Sequence, residues 1–459
     1  VLVLARLLLA LLAVGIVAAT MACSASATPT SLKTTLSGGG KEGEEITVAE
    51  GSGVKDQATL SGENASKATG TVKYAVYSEK TCKELVTAAG EVTVKEGKIP
   101  ASEEKKLAAG SVYFWQATYS GDAKNSSSTS TCGKEVLTVK ATTSLKTTLS
   151  GGGKEGEEIT VAEGSGVKDT ATLSGTKSST ATGNVKYAFY KDKECKELVA
   201  KAGEGALKEG KAAASEEKKP EGAAVYYWQA SYEGDSLHEG STSTCGKEVL
   251  TVKATTSLKT TLVAGGQEGA KITVAAGSFV ADTATLSGTK AAKATGTVKY
   301  FVYSDGECKK LAAEAGEVSV EGESVPQSEE EELKEGTYYW QAVYSGDSLH
   351  EGSTGSCGSE TATAIAATSL TTLLSGEGEE EEEIEVAEGA AVIDTATLSG
   401  SKASKATGTV KYAVYSDDEC EELVTKAGEV SVSGESVPSS TEEALEPGIY
   451  YWQAEYSGD

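Results

Sequence analysis

The chain is short of the residues on which much enzyme chemistry rests. Its 459 residues hold two His and one Met. So few imidazoles leave little for histidine-based acid–base catalysis and nothing for a His-rich metal site. Positive charge is also scarce, with 42 Lys and Arg against 68 Asp and Glu, a net charge of −26. That balance excludes a nucleic-acid binder, which needs a basic footprint. Proline numbers only six against 52 Gly. Long apolar runs are absent beyond the first 19 residues, so no other stretch could span a bilayer. Charged residues make up 24% and hydrophobic ones 39%, a balance that suits a soluble globular array. At about 100–200 residues per domain, the length predicts three or four domains.

The N-terminus carries an address. Val1 to Ala19 is apolar apart from Arg6, and Ala25-Ser26-Ala27 supplies a small-residue cleavage site. This pattern predicts a secretory signal peptide over residues 1–27, with maturation near Thr28. An uncleaved membrane anchor is the competing reading. Cys23, behind Thr20-Met21-Ala22, is a weaker match to a lipidation box. The first residue is Val rather than Met, which suggests a fragment or an alternative start codon. Export permits disulfides, because extracytoplasmic compartments tolerate them.

The remaining chain repeats itself. Thr30-Ser31-Leu32 recurs as Thr143-Ser144-Leu145, Thr256-Ser257-Leu258 and Thr368-Ser369-Leu370, at spacings of 113, 113 and 112 residues. Trp115, Trp228, Trp340 and Trp452 keep the same beat. Repeats over 30–142, 143–255, 256–367 and 368–459 follow, the last shorter by about 20 residues and therefore expected to be truncated. A unit of this size is a domain with its own core, not a solenoid repeat.

Within a repeat the hydrophobic period is two. Leu32, Thr34 and Leu36 alternate before a Gly38-Gly39-Gly40 turn, as do Ala58 and Leu60, Val72, Tyr74 and Val76, then Tyr113, Trp115, Ala117 and Tyr119, then Leu137 and Val139. Turn residues interrupt at intervals of about 8–15 residues. Seven or eight short strands in such a unit predict an all-β Greek-key sandwich. Cys82 to Ala89 reads equally as a short helix or an edge strand.

Gly-Thr-Val-x-Tyr, a Tyr-Phe-Trp strand (Tyr-Tyr-Trp in the later repeats) and Tyr-x-Gly-Asp, in that order, stand at Gly70–Tyr74, Tyr113–Trp115 and Tyr119–Asp122. This arrangement resembles the bacterial immunoglobulin-like domains of tandem surface proteins, over residues 30–459. The resemblance implies four immunoglobulin-like sandwiches in an elongated array, the last incomplete. It implies that Tyr-x-Gly-Asp ends the penultimate strand and that Glu135 to Lys140 forms the last one. The tryptophan departs from antibody domains, where it lies on an earlier strand. It is expected in the core here.

Seven of the eight cysteines fall on two repeat positions: Cys82, Cys195, Cys308 and Cys420, then Cys132, Cys245 and Cys357. Co-occurrence favours Cys82–Cys132, Cys195–Cys245 and Cys308–Cys357. A bridge closing such a loop stabilises by roughly 3–4 kcal/mol. One objection stands. The third and last strands of this fold run parallel, which would put the two cysteines at opposite poles, and a bridge needs Cα atoms within about 7 Å. Pairing between neighbours, Cys82 with Cys245 and Cys195 with Cys357, is the alternative. Single, widely spaced cysteines make a poor metal site.

Other chemistry is sparse. His238 and His350 occupy equivalent places in Ser-Leu-His-Glu-Gly-Ser, where the first repeat has Asn125. They read as duplicated residues of an exposed loop. Ser37-Gly38-Gly39-Gly40-Lys41 lacks the ending and context of a phosphate loop. Asp122, Asp235, Asp347 and Asp459 sit in turns, with calcium at the junctions as a secondary reading. No catalytic, cofactor or metal residue is assigned.

Charge is uneven. Basic and acidic residues number 14 and 14 in the first repeat, 15 and 17 in the second, 8 and 16 in the third, and 4 and 21 in the fourth. A solvated, self-repelling face is the simpler reading; an acidic tip for a cationic partner is the other. The joints, such as Val139 to Leu145, carry no Pro-, Gly- or Ser-rich linker, which limits bending. Four sandwiches in line would span roughly 130–160 Å. The composite expectation is an exported, non-catalytic surface stalk, spacer or adhesion module, secreted or at the cell surface. It would face an unknown surface protein or polysaccharide, with membrane or wall anchoring through a missing segment. The alternative is a spacer or carbohydrate-binding appendage of an exported enzyme.

Overall fold

The computed structural model describes residues 26–458. The signal peptide expected around Arg6, with Cys23, and Asp459 lie outside the described residues. The chain forms two compact units: one through Ile159 with Gly166–Lys218 and Tyr226–Leu250, the other Thr160–Ser165, Lys219–Val225 and Thr251 onward.

The first repeat, in the first unit, shows the plan. Strand β1 (Ser31–Gly38) turns into β2 (Lys41–Gly43). Gly39 and Gly40 lie between them at φ of 56° and 75°. A two-residue hairpin turn of this hand needs positive φ at both positions, which glycine adopts without strain. Strand β3 (Glu45–Ala49) follows, then β4 (Gly53–Ser61), β5 (Thr71–Tyr77), β6 (Leu85–Thr93), β7 (Lys105–Lys106), β8 (Ser111–Tyr119), β9 (Ser128–Thr129) and β10 (Glu135–Lys140). One sheet has the order β2-β1-β4-β7. The other runs β3-β10-β8-β5-β6, with β9 beside β8. All pairs are antiparallel except β3 with β10, which is parallel. The chain's first strands are thus divided between two facing sheets, the plan of an immunoglobulin-like sandwich.

The period of two builds the core. On β8, Tyr113, Trp115, Ala117 and Tyr119 are buried, and Trp115 is sealed from solvent. They pack with Leu32, Leu36, Val72, Tyr74, Val76 and Leu137 from both sheets. The aromatic bodies supply much of the buried apolar area, and the tyrosine hydroxyls find acceptors. Tyr119 donates to the Thr69 carbonyl at 2.7 Å and Tyr74 to that of Pro100 at 2.9 Å. Residues 82–84 complete a turn and residues 85–89 begin edge strand β6, with no helix.

The second repeat follows the same plan. Its counterpart of β6, Leu198–Lys208, is longer and pairs with Lys211–Ala212. That short strand also touches Val167–Gly175, so the two sheets become continuous at this edge. Phe189 stacks on Trp228, ring centroids 5.0 Å apart.

In the second unit, the third repeat runs from Thr256–Ala264 to Glu360–Ile365 on the same plan, with one further short strand, Ser324–Val325, beside Phe279–Gly288. The fourth runs from Thr368–Gly376 to Tyr451–Tyr456, and its second sheet has three strands among the described residues. No strand follows Tyr456 there to match Glu360–Ile365. Ile384 and Val386, which would pair with it in parallel, form no strand and are only half-buried. For the same reason Trp452, expected to be sealed like the other three, is only partly buried.

Candidate functional site: the joints between repeats

The end of one repeat is seated in a loop of the next. After β10, the Ala141 N–H donates to the Leu237 carbonyl at 2.8 Å, and the Glu239 N–H donates to the Ala141 carbonyl at 2.9 Å. This loop follows the Tyr-x-Gly-Asp turn. Gly234 lies at φ 87°, and a Cβ there would meet the His238 carbonyl at 2.7 Å, so the turn requires glycine.

Asp235 organises the loop. Its carboxylate accepts from the Thr182, Leu237 and His238 N–H groups at 2.8 Å each and lies 2.9 Å from His238 Nδ1. Burial pulls its pKa up, but these donors outweigh burial and hold it well below the ordinary value. His238 Nε2 lies 3.0 Å from the Lys177 carbonyl. The Lys177 ammonium reaches back to the first repeat, donating to the Gly110 carbonyl at 3.1 Å and Ser111 Oγ at 2.6 Å. Lys140 donates in the other direction, to the Asp235 carbonyl at 2.5 Å. Glu50 accepts from Thr142 Oγ1 at 2.6 Å and Thr176 Oγ1 at 2.8 Å. The Thr142 hydroxyl, then that of Thr176, hold the Glu50 pKa below its ordinary value.

Within the second unit the same parts recur. Ala254 donates to the Leu349 carbonyl at 2.8 Å. His350 Nδ1 lies 2.9 Å from Asp347, its Nε2 3.2 Å from the Lys290 carbonyl, and Lys290 Nζ donates to Ala223. Lys402 pairs with Glu335. Ile365 stands where Lys140 and Lys253 stand, and it is exposed. At the first repeat, Thr28 fills the same seat. Its N–H donates to the Lys124 carbonyl at 2.9 Å, and Asn125 Nδ2 donates to Asp122 at 3.0 Å. Donation from the Thr69 N–H, then the Lys124 N–H, holds Asp122 well below the ordinary carboxylate range.

His238 and His350 were expected in an exposed loop. They are buried instead, 1% and 2% exposed, because each ring is enclosed between the Asp of its own turn and the Lys177 or Lys290 carbonyl of its own repeat, with Ala141 or Ala254 bridged beside it. The contact joins residues about 60 positions apart, so no local pattern announces it.

The cysteines pair within repeats: Cys82–Cys132, Cys195–Cys245 and Cys308–Cys357, with Cα separations of 6.0, 5.9 and 5.9 Å. Register answers the objection raised above. Tyr77 at the end of β5 pairs with Phe114, and Phe114 pairs with Val136 at the start of β10. β5 and β10 are parallel but staggered along the long β8, so the end of one lies level with the start of the other. Cys420 is unpaired, yet it adopts the same left-handed backbone, φ 58° against 52° for Cys82. The turn is therefore set by its own hydrogen bonds, such as those that Asp417 accepts from the Glu421 and Glu422 N–H groups. Trp115, Trp228 and Trp340 are fully buried.

One feature escaped the sequence reading. Asp56 and Glu135 are buried, 0% and 2% exposed, as are Asp169 with Glu248 and Asp282 with Glu360. The signal was present. Asp56 lies two residues before Ala58 and Glu135 two before Leu137, so extending each alternation by one step puts both on the core face.

No protein-family model and no curated protein matches the chain. Solved structures similar to it include chicken CNTN1 FN1–FN3 domains, at 12% identity, 72% of this chain, 97% of that one and a TM-score of 0.20. A putative membrane anchored protein from Corynebacterium diphtheriae is similar at 13% identity, 74% of this chain, 97% of that one and a TM-score of 0.20. The E. coli alpha-2-macroglobulin follows at 10% identity, 93% of this chain, 29% of that one and a TM-score of 0.19. The fold assignment, tandem immunoglobulin-like sandwiches, rests on strand order.

Proposed function

We propose that this chain is an exported, non-catalytic spacer or adhesion module, which holds immunoglobulin-like domains at a fixed spacing on or outside the cell. The joint carries this reading. The last strand of a repeat enters the next loop after a single residue, and side chains from both repeats close over it. A chain built to flex would place a polar, unpaired linker there. The disulfides support an oxidising compartment.

The test is protease shaving of intact cells followed by peptide mapping. Release of peptides from residues 30–458 without lysis is the expected result. Recovery only after lysis would overturn the extracellular placement, and a hydrolytic activity of the purified chain would overturn the non-catalytic one.

A further inference from the structure

Asp56 lies on β4 of one sheet and Glu135 on β10 of the other, and the two carboxyls meet in the core of the sandwich. The second and third repeats place Asp169 against Glu248 and Asp282 against Glu360 in the same way. In the first two repeats the donors nearest the eight carboxyl oxygens are the Thr34 and Thr147 hydroxyls and the Thr35 and Thr148 N–H groups, and none reaches full hydrogen-bonding geometry. In the third, Thr260 Oγ1 donates to Glu360 Oε2 at 2.5 Å and the Thr261 N–H to Asp282 Oδ1 at 3.2 Å.

The surroundings supply no counter-charge. β1 presents Thr34 and Thr35, the strand start before β3 presents Glu44, and β5 presents Tyr74. β8 places Trp115 opposite Glu135 in register, its indole N–H buried without an acceptor. The nearby lysines point away. Lys33 pairs with Glu44 at 3.3 Å in solvent, and Lys55 points to Glu104 at 3.8 Å. Two adjacent carboxylates, desolvated and without a cation, cannot both be ionised.

We infer that each of the first three repeats is fastened between its two sheets by a carboxyl pair sharing a proton, a latch that acid keeps shut and alkali opens. Burial, reinforced by the neighbouring Glu135, pushes the pKa of Asp56 far above its ordinary value, and burial raises that of Glu135. Asp169, Glu248, Asp282 and Glu360 shift the same way, burial first. A carboxyl raised on folding stabilises fully below its unfolded pKa, and that stability is lost as pH rises through the folded one. The folded pair holds a proton that the unfolded chain has released. The unfolding constant of each latched repeat should therefore rise about tenfold per pH unit across that window.

The experiment is denaturant unfolding of the full chain from about pH 5 to about pH 9, beside the variant D56N/E135Q/D169N/E248Q/D282N/E360Q. The amides keep donors in place and remove both titrations of each pair. The wild-type midpoints of the first three repeats should fall with rising pH while those of the variant stay level. A flat wild type, or a variant with the wild-type slope, overturns the inference. If the variant does not fold, carbon-13 NMR of the wild-type carboxyls decides. Three Asp signals still protonated at neutral pH support the latch, and titration of every Asp in the ordinary range overturns it.

Discussion

Asp235 shows how much one side chain holds at a joint. It accepts five hydrogen bonds, three from backbone N–H groups. In Asp235→Ala the loop donors lose their acceptor, and each group left buried and unpaired costs about 1–3 kcal/mol. Hydrogen exchange at Leu237 and Ala141 should speed up selectively, with the sandwich cores unchanged. The pH dependence has the opposite sign to that of the core pair. A carboxyl lowered on folding stabilises above its unfolded pKa and loses that contribution as pH falls through the folded one. Exchange at the joint should therefore accelerate in acid, where the cores are at their firmest. Tryptophan gives an internal comparison. Trp115→Ala empties a sealed site and should cost about 3–5 kcal/mol. Trp452→Ala should cost clearly less, since that ring is only partly buried. Fluorescence-monitored unfolding of the two variants checks the difference.

At the level of strands, the sequence was legible wherever one face is apolar and the other polar. The alternations through Leu32, Val72, Trp115 and Leu137 gave the strands and the sandwich class directly. The Gly39–Gly40 turn was legible because glycine adopts positive φ at both positions without strain. The stagger of β5 and β10 was not, because register depends on partner strands dozens of residues away. That offset brings Cys82 to Cys132. Replacing both by Ser should lower the stability of the first repeat by about 2–4 kcal/mol, measured as a shift in its own unfolding transition. The edge turn should survive, since the unpaired Cys420 already shows it. The fourth repeat also tests the carboxyl argument at this scale. Asp394 is buried without a glutamate opposite, and burial alone pushes it up to about 6. Its repeat should lose stability as pH rises through that value, an earlier and smaller loss than in the latched repeats. Hydrogen exchange of strand Ala391–Gly400 across that range reads it out.

For the whole molecule, charge and repetition matter more than any single contact. The fourth repeat holds 21 acidic side chains against 4 basic ones, while the first holds 14 of each. Self-repulsion of exposed charge is screened within about 10 Å at 0.1 M salt. Added salt should therefore slow exchange over residues 368–458 and leave residues 30–142 nearly unchanged. Equal responses would show that the acidic excess does not burden its own repeat. Repetition has a different consequence at the joints. The seat that receives Ala141 in one loop and Ala254 in another is built from the same Asp and His, and the entering strings Val139–Thr143 and Val252–Thr256 are identical. Thr28 enters the first repeat by the same bridge. The first two tails fit each other's seats, so excising residues 143–255 would bring two native partners together. Copy number is thus free to drift by whole units through recombination between near-identical segments. Domain number becomes a heritable quantity that changes in steps of one, without a single joint being redesigned.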